Sequence, residues 1–259
     1  MVPSLSVVLP AYNESGNIVQ VLTRALEVLP ELAEEYEIIV VDDGSADDTA
    51  EIALDVARSA PPGVIRVLRH QRNRGYGSAI RSGLRAAGSD LVFYTDADNQ
   101  FDIGELHWFL PSIEQADVVV GFRVYRYDTP LRSFLSLGYN LLVTILFRVR
   151  VRDVDCAYKL FRREVLEKIH IDSEDFFVDT ELVARARKWN FRIVEKGVRH
   201  YPRTAGETTV QPGDIPRTLK TVGRMWRRIY FPTRDMLDAA VGPEPRIDEN
   251  TVELTPVSS

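Results

Sequence analysis

Asp96 and Asp98 stand two residues apart, with Ala97 between them, at the end of an apolar run in the stretch LVFYTDADNQF, residues 91–101. Two carboxylates this close repel each other unless a positive group sits between them. A divalent cation with oxygen ligands does that. Mg2+ and Mn2+ commonly take one or two carboxylates and fill their remaining positions with substrate phosphates and water. Gln100 offers a further neutral oxygen. A cation held there would neutralise a departing diphosphate, which is Lewis-acid catalysis. The same residues also suit a helix cap or a turn, where Asp is common. Spacing alone leaves both readings open, and the position of the pair in the chain favours the metal.

That position follows from the elements around it. Apolar runs at 5–10, 37–41, 64–70, 91–95 and 117–122 read as strands. Segments at 16–29, 47–58, 76–87 and 103–114 carry apolar residues at helical spacing and read as the helices between them. Continuous apolar strands alternating with amphipathic helices predict an α/β fold, a mostly parallel sheet with helices on both faces. In such sheets ligands sit beyond the carboxyl ends of the strands. The polar clusters AYNE, DDGS, DADNQ and FR fall at those ends.

Other clusters add to the pair. In VVDDGSADDT, residues 40–49, one acid suffices to cap the next helix, and the others are available to a ribose or base edge. Tyr12 offers a stacking surface and Glu14 an acceptor, and the other reading makes Asn13 or Ser15 simply the cap of the first helix. The glycines of NRGYGSAIRSG, residues 73–83, lack the dinucleotide-binding spacing and read as close packing of a helix near the ligand.

The motifs VVLPAYNE, IVVDDGSADDT, NRGYGSA, DADNQF, VVGFR and DVDCAYKLFRR occur in this order over roughly residues 4–210. In this the chain resembles the family 2 glycosyltransferases of GT-A fold, Rossmann-like enzymes. It is most similar to their dolichyl-phosphate mannose synthase and polyprenyl-phosphate branch. The resemblance implies inverting transfer of a sugar, mannose or glucose, from a GDP- or UDP-sugar to a polyprenyl or dolichyl phosphate, with Mg2+ or Mn2+. It implies that Pro10, Tyr12, Glu14, Val41 and Asp43 hold the nucleoside, with Asp96 and Ala97 beside it. Asp96, Asp98 and Gln100 would hold metal and diphosphate. Arg123 and Arg203 would meet phosphate, and Arg132 the acceptor phosphate. Glu181 lies where related enzymes carry an acid near the acceptor.

A lipid monophosphate is largely dianionic at neutral pH, so it needs cations around it more than a base. A hydroxyl acceptor, the alternative, would need Glu181 as general base. Asp179 reads as a cap of the helix that Glu181 opens. Arg126, Arg162 and Arg163 read as solvated surface charges. A lysine common after the R-x-x-G-x-S pattern is missing from RTAGETT, residues 203–209, which leaves the donor open. A non-catalytic nucleotide-sugar-binding protein is the remaining alternative, and intact Asp96, Asp98 and Gln100 argue against it.

Residues 133–147 are too few to span a bilayer and too apolar for an exposed loop. They predict a helix pair in the membrane interface, with a buried core helix as the other reading. RMWRRIY, residues 224–230, reads as a second interfacial contact or a core-packed helix. The chain therefore reads as one domain over 1–237, with a nucleotide-sugar half over 1–125, an acceptor half over 126–237 and a polar, disordered tail over 238–259. Net charge of −6 argues against a nucleic-acid partner. A single cysteine, Cys156, excludes an internal disulfide and fits a reducing compartment. Without a leader or a membrane span, the expected place is peripheral, on the cytoplasmic face of a membrane, with a membrane-protein partner or a homo-oligomer as options.

Overall fold

The computed structural model describes residues 1–124, 130–202, 215–231 and 251–255, with the backbone alone for 130–137 and 215–218. The chain starts with β1 (Val2–Ala11), α1 (Ile18–Leu32), β2 (Ala33–Asp42), α2 (Thr49–Ser59), β3 (Ile65–His70), α3 (Tyr76–Ala86) and β4 (Leu91–Thr95). β1 is parallel to β2 and to β4, and β2 is parallel to β3. The chain thus winds outward from β1 through β2 to β3, then returns to the other side of β1 as β4. The right-handed crossover rule places α1 and α2 on one face and α3 on the other. The β1–β4 boundary, where the winding reverses, is a topological switch point, and in sheets of this kind the ligand crevice lies there, beyond the carboxyl ends.

The predicted helix over 103–114 is broken. A 3-10 turn (Ile103–Glu105), the short α4 (Leu106–Phe109) and a second 3-10 turn (Leu110–Glu114) replace it. Pro111 cannot donate the backbone bond that a continuous helix requires. β5 (Val118–Arg123), α5 (Pro130–Phe147), β6 (Tyr158–Arg162), α6 (Arg163–Lys168), α7 (Val178–Lys188), β7 (Ile193–Val198), α8 (Ile215–Tyr230) and β8 (Thr251–Leu254) complete the described elements. The sheet order is β7-β5-β6-β4-β1-β2-β3-β8. β6 enters antiparallel between β4 and β5, and β8 pairs antiparallel with β3 at the edge.

Two further expectations are corrected. Residues 133–147 lie in the single helix α5, not in a helix pair. One face of it buries Val143 and Phe147 and leaves Leu141 and Ile145 exposed. The polar tail also contributes structure, because Thr251–Leu254 extends the sheet. There Arg66 Nε donates to Glu253 Oε1 at 2.8 Å, which fixes the edge pairing.

α3 packs where glycine allows it. A Cβ on Gly83 would lie 2.2 Å from Val8 Cγ1 and 3.0 Å from Val41 Cγ2, so the helix rests directly on β1 and β2. Gly75 and Gly77 would meet the backbone of 173–175 in the same way. The glycine-rich stretch serves close packing, as its spacing predicts.

Candidate active site

The paired carboxylates follow β4 at the switch point. Asn99 adopts φ 61°, a left-handed conformation that Asn tolerates, and turns the chain between Asp98 and Gln100. Asp98 is buried and its Oδ1 accepts from Gln100 N at 3.0 Å. Asp96 Oδ1 accepts from the Tyr76 hydroxyl at 2.8 Å. Burial, and then the charge of Asp98, push the Asp96 carboxyl well above the usual carboxylate range, against the hydrogen bond from Tyr76. Two such carboxylates offer the hard oxygen donors that Mg2+ and Mn2+ prefer. No three His, Cys, Asp or Glu among the described residues form a ready cage. A cation held by Asp96 and Asp98 would have to complete its shell with ligand oxygens and water. Gln100 donates through Nε2 to the Tyr201 carbonyl at 3.2 Å, which ties it to the chain beyond β7.

A second acidic layer lies beside the first. Asp179, which reads in sequence as a helix cap, accepts from the Tyr94 hydroxyl at 2.6 Å and pairs with Lys159. Lys159 is fully buried and also donates to the Cys156 carbonyl at 2.6 Å. Asp155 lies close by on the loop before β6. Burial, then the charges of Asp179 and Asp153, push its carboxyl up to about 7, against Lys159 and Arg123. Burial also raises the Cys156 thiol, so this cysteine stays protonated and inert.

The nucleoside-side residues are spread over two strand ends. Tyr12 is 46% exposed just beyond β1, open to a stacking partner. Asn13 N donates to Ser45 Oγ at 2.9 Å and Glu14 N to Thr49 Oγ1 at 2.9 Å, which latches the loop after β1 to the loop after β2. Glu14 Oε2 accepts from Asn17 Nδ2 at 2.6 Å. Pro10 and Val41 are register partners inside the sheet, and Ala97 is buried behind the carboxylates.

Several expected site residues also make contacts within the protein. Val41 is fully buried and its side chain supports α3. Asp43 is committed to the protein. Its Oδ1 meets His70 Nδ1 at 2.6 Å and accepts from Arg74 N at 2.9 Å, while Oδ2 accepts from Gly75 N at 2.8 Å. Arg123 forms a two-pronged pair with Asp153, at 2.6 and 2.8 Å. Glu181 is fully buried and accepts from Asp172 N, Ser173 N and Arg185 Nε, so it organises the loop before α7. Arg162 and Arg163 are not solvated charges: they bond the carbonyls of Ile113 and Ala116, and of Ala87 and Ser89. The Arg132 side chain, Arg126 and Arg203 lie outside the described residues.

A mostly parallel sheet with helices on both faces and paired carboxylates at its switch point define an α/β protein of the doubly wound class. The chain belongs to glycosyl transferase family 2, whose profile matches residues 6–170. It is 34% identical over 209 residues to a dolichyl-phosphate beta-glucosyltransferase of Trichomonas vaginalis, across 73% of this chain and 61% of the relative. It is 32% identical over 209 residues to an undecaprenyl-phosphate 4-deoxy-4-formamido-L-arabinose transferase of Photorhabdus laumondii, across 80% of this chain and 63% of the relative. The chain thus spans little more than three-fifths of the length of these relatives. Among solved structures, glucosyl-3-phosphoglycerate synthase of Mycobacterium tuberculosis, in complex with Mn2+, UDP and phosphoglyceric acid, superposes with a TM-score of 0.61. That match covers 93% of this chain and 79% of the other at 22% identity, a likeness of fold.

Proposed function

We propose that the chain catalyses inverting transfer of a sugar, glucose before mannose, from a UDP- or GDP-sugar to a polyprenyl phosphate at a membrane surface. The observation that carries this is the Asp96–Asp98 pair at the switch point, where Asp98 is buried and its charge, after burial, pushes the Asp96 carboxyl up. The names of the two relatives support the lipid phosphate acceptor, and the first of them supports glucose. Asp96 and Asp98 would hold Mg2+ or Mn2+, which when bound neutralises charge on the departing diphosphate. Tyr12, exposed beside the crevice, stacks on the base. Lys159 pairs with Asp179 and fixes it, so the acidic wall behind the sugar does not shift. A phosphate acceptor brings its own negative oxygen as nucleophile. The burial of Glu181 among backbone amides accords with that, since no base is then required of it.

A hydroxyl acceptor is the second reading, favoured by Asp155, whose carboxyl near 7 lies in the range of a general base. The test is nucleotide diphosphate release from a panel of UDP- and GDP-sugars with Mg2+ or Mn2+, with and without a short polyprenyl phosphate. Lipid-dependent release with UDP-glucose supports the first reading. Release that ignores the lipid and rises with a soluble sugar acceptor, and that is lost in Asp155→Asn, replaces it with the second.

A further inference from the structure

A chain of contacts runs from the core to Asp96. His70 closes β3 and is 1% exposed. Its Nδ1 stands 2.6 Å from Asp43 Oδ1 and its Nε2 2.9 Å from Ser82 Oγ. The order Ser–His–Asp is that of a nucleophilic triad, but Ser82 is buried in α3 and the carboxylate at the far end has another task. Asp43 holds the amides of Arg74 and Gly75. These immediately precede Tyr76, whose hydroxyl donates to Asp96. The other side of the same loop is gripped as well. Gly77 N donates to the Glu174 carbonyl at 3.0 Å, and a Cβ on Gly75 would lie 2.3 Å from that oxygen. The Tyr76 ring stacks on Phe176 with centroids 5.2 Å apart. Loop 74–77 has no slack, so the hydroxyl of Tyr76 is delivered to one oxygen of Asp96 in a fixed direction.

We propose that Tyr76 is the outer-shell positioning residue of the cation site, held on Asp96 by the buried Ser82–His70–Asp43 chain. The inference rests on Asp96 being a metal ligand. Ligating carboxylates are themselves oriented by hydrogen bonds, and loss of such a partner weakens metal binding. Here the need is acute, because Asp96 faces Asp98 and an unheld side chain would swing away from a like charge.

The experiment titrates Mn2+ into the protein with UDP, by calorimetry and by the EPR signal of free Mn2+. Wild type, Tyr76→Phe, His70→Leu, the double variant and Asp96→Asn are compared, with melting in EDTA as the folding control. Tyr76→Phe is expected to weaken Mn2+ binding about 10- to 100-fold with its EDTA melt unchanged. His70→Leu weakens binding too, and adding it to Tyr76→Phe costs nothing further, because both act on one contact. If His70→Leu does not fold in EDTA, Ser82→Ala takes its place, with an expected loss of about 2- to 10-fold, the worth of one hydrogen bond. Mn2+ binding by Tyr76→Phe equal to wild type, with Asp96→Asn abolishing it, overturns this inference and leaves the metal site intact. Additive losses in the double variant overturn the buried chain's part. A wild type that binds no Mn2+ overturns the inference and the metal-dependent reading together.

Discussion

Lys159 balances the acidic pocket at the level of single residues. It is fully buried, and its ammonium meets Asp179 while Asp155 and Asp96 lie within electrostatic reach. Removing one partner of a buried ion pair strands the other charge, at a cost of about 3–5 kcal/mol. Lys159→Met should lower unfolding free energy by that order in urea, and Asp179→Asn added to it should restore much of the loss. A Lys159→Met chain as stable as wild type would show that the pocket does not depend on this cation. Asp155 makes a pH prediction. Its folded carboxyl titrates at about 7 against an ordinary 3.8. Between those values the folded chain holds a proton that the unfolded chain has released. Its contribution to stability is therefore present at low pH and lost as pH rises through about 7. Asp155→Asn should remove that slope, so stability curves of the two proteins, superposed in shape across the window, would contradict the assignment.

Elements differ in how much of their placement the sequence carries. β1 to β5 and α1 to α3 were legible because each apolar run ends in a polar cluster and each helix keeps its apolar spacing. Asp96 and Asp98 were legible for the same reason, as polar residues at a strand end. α4 was not, since Pro111 and two 3-10 turns interrupt a pattern that otherwise fits a helix. The surroundings of Asp179 and Glu181 leave no mark in the sequence, because two residues turn a helix by about 200°. One carboxylate therefore faces Tyr94 and Lys159, the other the loop before α7. The Tyr94 and Asp179 pairing spans 85 residues, and the Asp43–His70–Ser82 chain joins three elements, so neither leaves a local trace. β8 was hidden in polar composition, and its partner Arg66 lies 187 residues away from Glu253. The α3 contact gives the prediction at this scale. Gly83→Ala places a methyl 2.2 Å from Val8 Cγ1 in a layer without spare room. Overpacking of this kind costs about 1–3 kcal/mol. Urea denaturation should show the loss, and an unchanged midpoint would mean that α3 can lift from the sheet freely.

Over the whole molecule the charge is uneven. The net is −6, with acids gathered in the crevice, yet the exposed face of α8 carries Lys220, Arg224 and Arg227. Phe231, 62% exposed, follows that helix, and α5 presents Leu141 and Ile145, 60% and 66% exposed. The two helices are joined: Trp226 Nε1 donates to the Leu146 carbonyl at 3.0 Å and the Tyr230 hydroxyl to the Phe147 carbonyl at 2.8 Å. An apolar stripe beside a basic one is the arrangement that seats a helix in a lipid interface. No helix among the described residues is long and apolar enough to cross a membrane. Each cation near an anionic surface adds about 1 kcal/mol, roughly a 5-fold gain in partition. The chain should therefore sediment with phosphatidylserine-containing vesicles more than with neutral phosphatidylcholine ones, and less as salt shortens the Debye length. Arg224→Glu with Arg227→Glu should erase the preference for anionic lipid. Leu141→Glu with Ile145→Glu should release the protein from both vesicle types, because it removes the inserted area while the cations remain. Binding that survives both pairs of changes would place the lipid contact elsewhere on the molecule.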